Sequence, residues 1–357
     1  MGNSNSHIDS TKTSSIITDF SKVNIPDNYM LIKVVTYNVM LKNSISMRDN
    51  IKIIVKYTLE TFRSKNIDII CIQGLEDKYS IVDFIKALKK VSSYHNEMLY
   101  FAPEFDDIDG NLSRSLHSSF NAVWSNSKAM SSSENNRTNN IIISKYPIIN
   151  YDIEVLSDKS NDIYNSNSMI FANIDIDDTI ISVYNVALCN DLSIINVNNK
   201  KEREKEIESM REMVLLNQDD IKKNPKFSKY KKPDIGFICG SLNIKETVSD
   251  NITEEYENFV SKNRCADLFR YQNDEDKGFT IITKQRVDYN MFVMTDDIYE
   301  QDSPFREDLQ KIEKPSDLFK LILKRYNIYF LQTYVNKNIK ASKHFPVECI
   351  FIMKIDD

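Results

Sequence analysis

Seven short stretches of the chain set polar side chains at the ends of apolar, β-branched runs. In order they are Thr36-Tyr37-Asn38-Val39, Ile72-Gln73-Gly74, Ser144-Lys145-Tyr146-Pro147-Ile148, Val183-Tyr184-Asn185-Val186-Ala187-Leu188, Cys239-Gly240-Ser241-Leu242-Asn243, Arg286-Val287-Asp288-Tyr289 and Ser342-Lys343-His344-Phe345-Pro346-Val347. Functional groups gather where strands stop, because the strand fixes them and the loop beyond leaves room for a partner. The groups at stake are the amides of Asn38, Gln73 and Asn243, the carboxylate of Asp288, the imidazole of His344 and the ammonium of Lys343. A carboxylate beside an imidazole fixes the ring's tautomer. Amides, an imidazole and a lysine around one pocket suit a phosphate or another anion.

The elements that must carry these groups are legible from periodicity. Leu31 to Val39 is a β-branched, largely apolar strand, and Ile67 to Gln73 is a second. Between them Ile51, Ile54, Val55, Leu59 and Phe62 form one face of a helix, and Val82, Ile85, Leu88 and Val91 mark another. Residues 101–137 are polar and irregular. Asn139 to Tyr151 reads as one strand, and Met169–Ile176 with Thr179–Leu188 as a hairpin across Asp177-Asp178. Glu202 to Ile221 reads as an amphipathic helix with Ile207, Met210, Val214 and Ile221 inward. Asp234–Cys239, Thr280–Ile282, Val287–Val293 and Val347–Met353 read as strands, and Thr253–Val260 and the segment from Pro315 to Arg325 as helices. Interleaved strands and helices with central hairpins predict an α/β fold, a two-sheet β-sandwich flanked by helices in four layers. The expected organisation is a flexible leader over 1–30 and one domain over 31–357, with insertions near 101–137 and 296–340.

Composition narrows the function classes. The net charge is −6 and no long Lys/Arg block occurs, which argues against non-specific nucleic-acid binding. Six glycines stand where average usage would give about 25, and neither GxGxxG nor GxxxxGK[ST] is present. The five cysteines, Cys71, Cys189, Cys239, Cys265 and Cys349, are spaced far apart, and most lie in or beside apolar runs, so they read as small core residues in a reducing setting.

The seven strand ends, taken in order, resemble the motifs of the endonuclease/exonuclease/phosphatase family: T-[WY]-N, Q-E, S-[RK]-x-P-I, [YN]-x-x-H-L, G-D-[FL]-N, R-[IVL]-D-Y and S-D-H-x-P-[VI]. The resemblance spans roughly residues 31–353, and it is the register of all seven, rather than any single motif, that is specific. It implies magnesium-dependent phosphoester chemistry, with Asp288 and His344 matching a pair that places an imidazole near the scissile phosphate.

Four positions depart from the family pattern. Gly74 stands where the family has a metal-binding Glu, Ser241 where it has the Asp that acts as base, Ala187 where a His contacts phosphate, and Lys343 where an Asp supports the metal. Mg²⁺ requires hard oxygens and usually one or two carboxylates. Asn38, Asn243, Asp288 and His344 remain as a remnant pocket, and no metal ligand set is expected. The alternative is an active phosphodiesterase or phosphatase with a rebuilt, Mg-dependent site using Glu76, Asp288 and His344. Glu76 lies about 6.6 Å beyond Gly74 along an extended chain, so a bulge would have to bring it back. His95 and His117 lie outside the expected strands.

The expected function is therefore a non-catalytic protein of this fold, a binding or structural component whose pocket takes an anion or phosphate; a protein partner is not identified by the sequence. The abundance of Asn, Ile, Lys and Asp, as an AT-rich genome produces, the four departures from the family pattern and the acylation pattern at the N-terminus together point to a large DNA virus of a eukaryotic host. The start, Met1-Gly2-Asn3-Ser4-Asn5-Ser6, matches the acceptor pattern for myristate on Gly2. A single acyl chain gives only marginal membrane binding, and no Cys or basic cluster follows closely to reinforce it. The expected location is the cytoplasmic side of the host cell, at a membrane or in a virion. Co-expression with an N-myristoyltransferase should add one myristoyl mass to Gly2. An unchanged intact mass, beside a modified control substrate, would remove the anchor.

Overall fold

A computed structural model describes residues 25, 29–41, 47–64, 67–75, 84–90, 98–102, 138–157, 167–189, 197–230, 235–248, 251–263, 265–272, 277–281, 284–294, 328–339 and 342–354. The strands are β1 (Tyr29–Leu41), β2 (Ile69–Leu75), β3 (Tyr100–Ala102), β4 (Ile141–Ser144), β5 (Ile148–Ser157), β6 (Asn167–Ile176), β7 (Thr179–Ala187), β8 (Ile235–Ser241), β9 (Thr247–Val248), β10 (Asn251–Ile252), β11 (Cys265–Asp267), β12 (Asp288–Met294), β13 (Ile328–Val335) and β14 (Val347–Lys354). The helices are α1 (Met47–Ser64), α2 (84–90), α3 (Val197–Lys223), α4 (Glu254–Lys262) and α5 (Leu268–Gln272).

Two six-stranded sheets form the sandwich, in the orders β13-β14-β1-β2-β4-β3 and β11-β12-β8-β7-β6-β5. Both are mixed: β1–β2 and β7–β8 run parallel, and their other pairs are antiparallel. Alternation along each strand sends one set of side chains to the partner sheet and the other to a helix. Ile32 and Val34 of β1, Ile69 and Cys71 of β2, Val183 of β7, Phe237 and Cys239 of β8 and Phe292 of β12 fill the space between the sheets. The alternate residues Val35, Tyr37, Ile70 and Ile72 pack under α1 and α2. Tyr184, Val186, Ile238 and Met291 pack under α3 and α4. The four expected layers are therefore present.

Several elements differ from the sequence expectation. Asn139 to Tyr151 is not one strand: β4 and β5 lie in opposite sheets, and the chain crosses at Lys145-Tyr146-Pro147. Apolar residues continue on both sides of the crossing, so periodicity alone hid it. Strand β13 occupies part of the region read as an insertion over 296–340 and forms the edge of one sheet. Thr280–Ile282 contributes only isolated bridges, from Ile281 to Gln285 and to His344. The Asp177-Asp178 hairpin is as expected, with both residues at positive φ. The leader, most of 101–137 and the expected helix over 315–325 lie outside the described residues.

Asp68 closes the end of the sandwich that holds the Ser144–Ile148 motif, opposite the other six. Its carboxylate accepts from the Lys33 backbone N–H at 2.9 Å, its backbone N–H donates to Lys33 O, and its own carbonyl accepts from Lys145 N. Burial pushes its pKa up to about 6, against the lowering by the Lys33 hydrogen bond and by Lys145. Because the folded-state value lies above the unfolded one, folding retains a proton at pH where the unfolded chain has lost it. Stability from this group is present in acid and falls as pH rises from about 4 to 6. Asp68→Asn, which keeps an acceptor oxygen, should raise stability above pH 6 by up to about 3 kcal/mol and have little effect below pH 4. Denaturant melts across that range check both sign and window.

Candidate functional site

The inward-facing positions of the strands turn polar toward one end of the sandwich. On β1 the inward series runs Val34, Thr36, Asn38; on β2 Ile69, Cys71, Gln73; on β7 Val183, Asn185, Ala187; on β8 Phe237, Cys239, Ser241; on β12 Phe292, Asn290, Asp288. The register places these ends together: Asn38 pairs with Gln73, Ala187 with Ser241, and Ser241 with Asp288.

Side chains of the two sheets bond directly across this end. Asn38 Nδ2 donates to Ser241 Oγ at 3.0 Å. Gln73 Nε2 donates to Asn185 Oδ1 at 2.7 Å, and Asn185 Nδ2 returns to the carbonyls of Ile72 and Ile141, both at 2.9 Å. Asn290 Nδ2 donates to Val347 O at 3.0 Å, and Asn140 Nδ2 to Ser168 O at 2.8 Å. All these residues are buried. In a low-dielectric interior such bonds are strengthened, and each buried polar group needs its partner.

Asp288 and His344 meet as expected: Nδ1 and Oδ2 lie 2.7 Å apart, with both side chains buried. The contact assigns the Nδ1 hydrogen to the carboxylate side and leaves Nε2 as the ring's second functional atom. Thr280, which sequence reasoning did not single out, fixes both partners. Its Oγ1 accepts from the N–H groups of Val287 and Asp288 at 3.0 and 3.2 Å, and its carbonyl accepts from Phe345 N at 2.7 Å. Asn243 sits at φ +55°, a conformation Asn tolerates, and its Nδ2 donates to Leu188 O at 2.7 Å. Lys343 is exposed beside the buried His344, and Ser342 Oγ donates to Asn38 O at 2.9 Å. The expected cation inside the cavity is thus at its exterior side, because the ammonium avoids the desolvation that burial would impose.

Behind β12 lies a second feature the motifs did not announce. Arg286 is buried between the rings of Phe269 and Tyr289, 4.8 and 4.7 Å from their centroids. It pairs with Asp267, and with Glu246 at 3.0 Å, while Glu246 also holds Arg270. This network anchors the segment on which Asp288 begins.

Gly74 has φ +76°, and a Cβ there would lie 2.5 Å from Asn38 Oδ1 and 2.8 Å from Met40 N. Asn38 Oδ1 itself accepts from Met40 N at 3.1 Å, and the β1–β2 register shifts between Asn38 and Leu41. The position therefore has no room for the carboxylate that the family places there. The described residues do not fit a divalent ion at this position: one Asp oxygen is engaged by His344, and the Asn38 oxygen by backbone. Among the described residues no group of three or more His, Cys, Asp or Glu is placed to hold a metal ion. Gly2, Glu76, His95 and His117 lie outside the described residues.

The combined change Gly74→Glu, Ser241→Asp and Lys343→Asp, which motif matching alone would predict to restore metal binding, should instead destabilise the protein. Gly74→Ala alone should cost about 2 kcal/mol or more, from positive φ and the clash. Urea melts of the single and triple variants, with Mg²⁺ calorimetry on the triple, check this; a stable triple variant that binds Mg²⁺ would contradict it.

No protein-family model matches the chain, and no curated protein matches it significantly in sequence. Solved structures do match over most of its length. An endonuclease/exonuclease/phosphatase protein from Beutenbergia cavernae DSM 12333 is 12% identical with a TM-score of 0.53, covering 90% of this chain and 72% of that one. One from Leptotrichia buccalis C-1013-b is 14% identical with a TM-score of 0.51, covering 89% and 98%. Sphingomyelinase C from Streptomyces griseocarneus is 13% identical with a TM-score of 0.51, covering 90% and 99%. Together with the two mixed sheets, the flanking helices and the convergence of six of the seven motifs at one end, with Ser144–Ile148 at the other, these likenesses show that the chain has the endonuclease/exonuclease/phosphatase fold.

Proposed function

We propose that this protein is a non-catalytic member of that fold, acting as a binding or structural component. The observation that carries the reading is the bond from Asn38 Nδ2 to Ser241 Oγ beside Gly74. Of the positions that would supply metal ligand, base and metal support, Ser241 ties the sheets together, Gly74 leaves no room for a side chain, and Lys343 is exposed at the outer side. In this reading the end of the sandwich has exchanged a reactive cavity for hydrogen bonds. His344 and the exposed Lys343 would offer the remaining positive or donor groups to an anion or phosphate at its outer side. Myristate on Gly2 would supply a weak membrane anchor, in keeping with a location at the cytoplasmic side of a host membrane or in a virion.

One observation favours a second reading. The Asp288–His344 pair keeps hydrogen-bond geometry at 2.7 Å, as an active phosphodiesterase or phosphatase would require. That reading also needs Glu76 to bring a carboxylate to the site.

Purified protein with Mg²⁺ or Mn²⁺ should leave bis(p-nitrophenyl) phosphate, p-nitrophenyl phosphate and single-stranded DNA intact. Loss of one member of a cooperating catalytic set costs orders of magnitude, and further losses add less. Metal-dependent turnover that disappears in His344→Ala would replace this proposal with the second reading.

A further inference from the structure

Three of the five cysteines line the core between the sheets: Cys71 of β2, Cys239 of β8 and Cys349 of β14. Each is at most 1% exposed, and all three are free thiols. The thiols of Cys71 and Cys239 share a hydrogen bond, so they touch across the gap between the two sheets. The gap is narrow there. Strands β2 and β8 include residue pairs whose Cα atoms lie within 8 Å, against about 10 Å between stacked sheets in general. Two residues beyond Cys71, Gln73 Nε2 bonds Asn185 Oδ1 at 2.7 Å, and Asn185 is the strand neighbour of Cys239. A direct side-chain bond thus holds the two faces together beside the thiols.

Cys349 is placed differently. Its sulfur accepts from Thr333 Oγ1 at 3.5 Å, within its own sheet. The thiols do not make a metal centre: among the described residues no three His, Cys, Asp or Glu are grouped to hold an ion. Two thiols in contact across the sheets, without a metal site, are suited to disulfide formation.

We infer that Cys71 and Cys239 are a cross-sheet redox pair, which a small-molecule disulfide such as oxidised glutathione converts to a disulfide. One protein thiolate attacks the oxidant, forms a mixed disulfide and releases one glutathione. The second protein thiolate attacks the protein sulfur of that mixed disulfide and releases the other glutathione. The protein pair gives up two electrons and two protons, and oxidised glutathione becomes two thiols. Burial, with the adjoining Cys71 thiol, pushes the Cys239 pKa up, and the thiolate is the attacking form. The closed sandwich therefore shields the pair, and exchange begins when local opening admits the oxidant. The bond joins residues far apart in the chain, where a cross-link restricts the unfolded state most. Stability would then rise on passage from a reducing to an oxidising setting. The pair lies deeper than Gln73 and Ser241, and the inference is independent of whether the polar end binds an anion or turns over a phosphoester.

Reduced protein should be incubated with oxidised glutathione at urea concentrations from zero to just below the unfolding midpoint. It should then be quenched with N-ethylmaleimide and mapped by non-reducing peptide mass spectrometry. Two thiols per chain should disappear, faster as urea rises, and one cross-linked peptide should join Cys71 to Cys239. The oxidised protein should melt about 5 °C higher than the reduced protein. Cys71→Ala should abolish both the cross-link and the shift; the mapping of the unmodified sequence decides the matter if that variant fails to fold. Five free thiols after incubation, a cross-link from Cys239 to Cys349 instead, or an oxidised protein that melts no higher would overturn the inference.

Discussion

A sandwich of two sheets has an apolar interior that must end somewhere, and at that end the backbone and the last inward side chains need polar partners. Here the requirement is met across the sheets rather than along them. Asn38 reaches Ser241, Gln73 reaches Asn185, Asn185 returns to the carbonyls of Ile72 and Ile141, and Asn290 reaches Val347. Each bond joins the first sheet to the second, so together they set the spacing of the sheets at the point where a hydrolase of this fold would open a cavity. The same bonds depend on the register below them, because a slip by one residue would send Asn38, Gln73 and Ser241 to the helix-covered faces.

Gly74, Asn38 and Ser241 are coupled at this end. Gly74 permits both the turn at φ +76° and the approach of Asn38 Oδ1. With Asn38 Oδ1 held by Met40 N, its Nδ2 is directed to position 241, where a hydroxyl accepts it. An Asp at 241 could accept that bond as well, but it would bring a second carboxylate close to Asp288, its cross-strand partner. Gly240 adds a further constraint: a Cβ there would lie 2.0 Å from Val186 O, so β8 lies too close to β7 for any side chain at that residue.

Much of this was legible in the sequence. Period-2 alternation gave the strands, and the order of the motifs gave the end at which six of them converge and the Asp288–His344 contact; the position of Ser144–Ile148 at the opposite end shows only in the strand pairing. What remained hidden has physical causes. The crossing between β4 and β5 sits inside a continuous apolar run, and either sheet could have used those residues. The role of Lys343 turned on burial, which a motif does not encode: its neighbour His344 is buried while Lys343 is exposed. Thr280, Asn185 and Asn290 act through register, and only the strand pairing shows that their side chains face the opposite sheet.

The retained Asp288–His344 pair does not by itself argue for catalysis, because it has structural reasons to persist. Thr280 binds the backbone N–H of Asp288, and its carbonyl binds Phe345 N, so one residue holds the chain on both sides of the pair. Ile281 bridges to His344, and Ser342 Oγ ties the same loop to Asn38 O. Removing the imidazole would strip a buried carboxylate of its one side-chain partner among the described residues, and removing the carboxylate would orphan a buried ring nitrogen. Either loss carries the desolvation cost of an unpaired polar group. The pair is thus held by the packing around it.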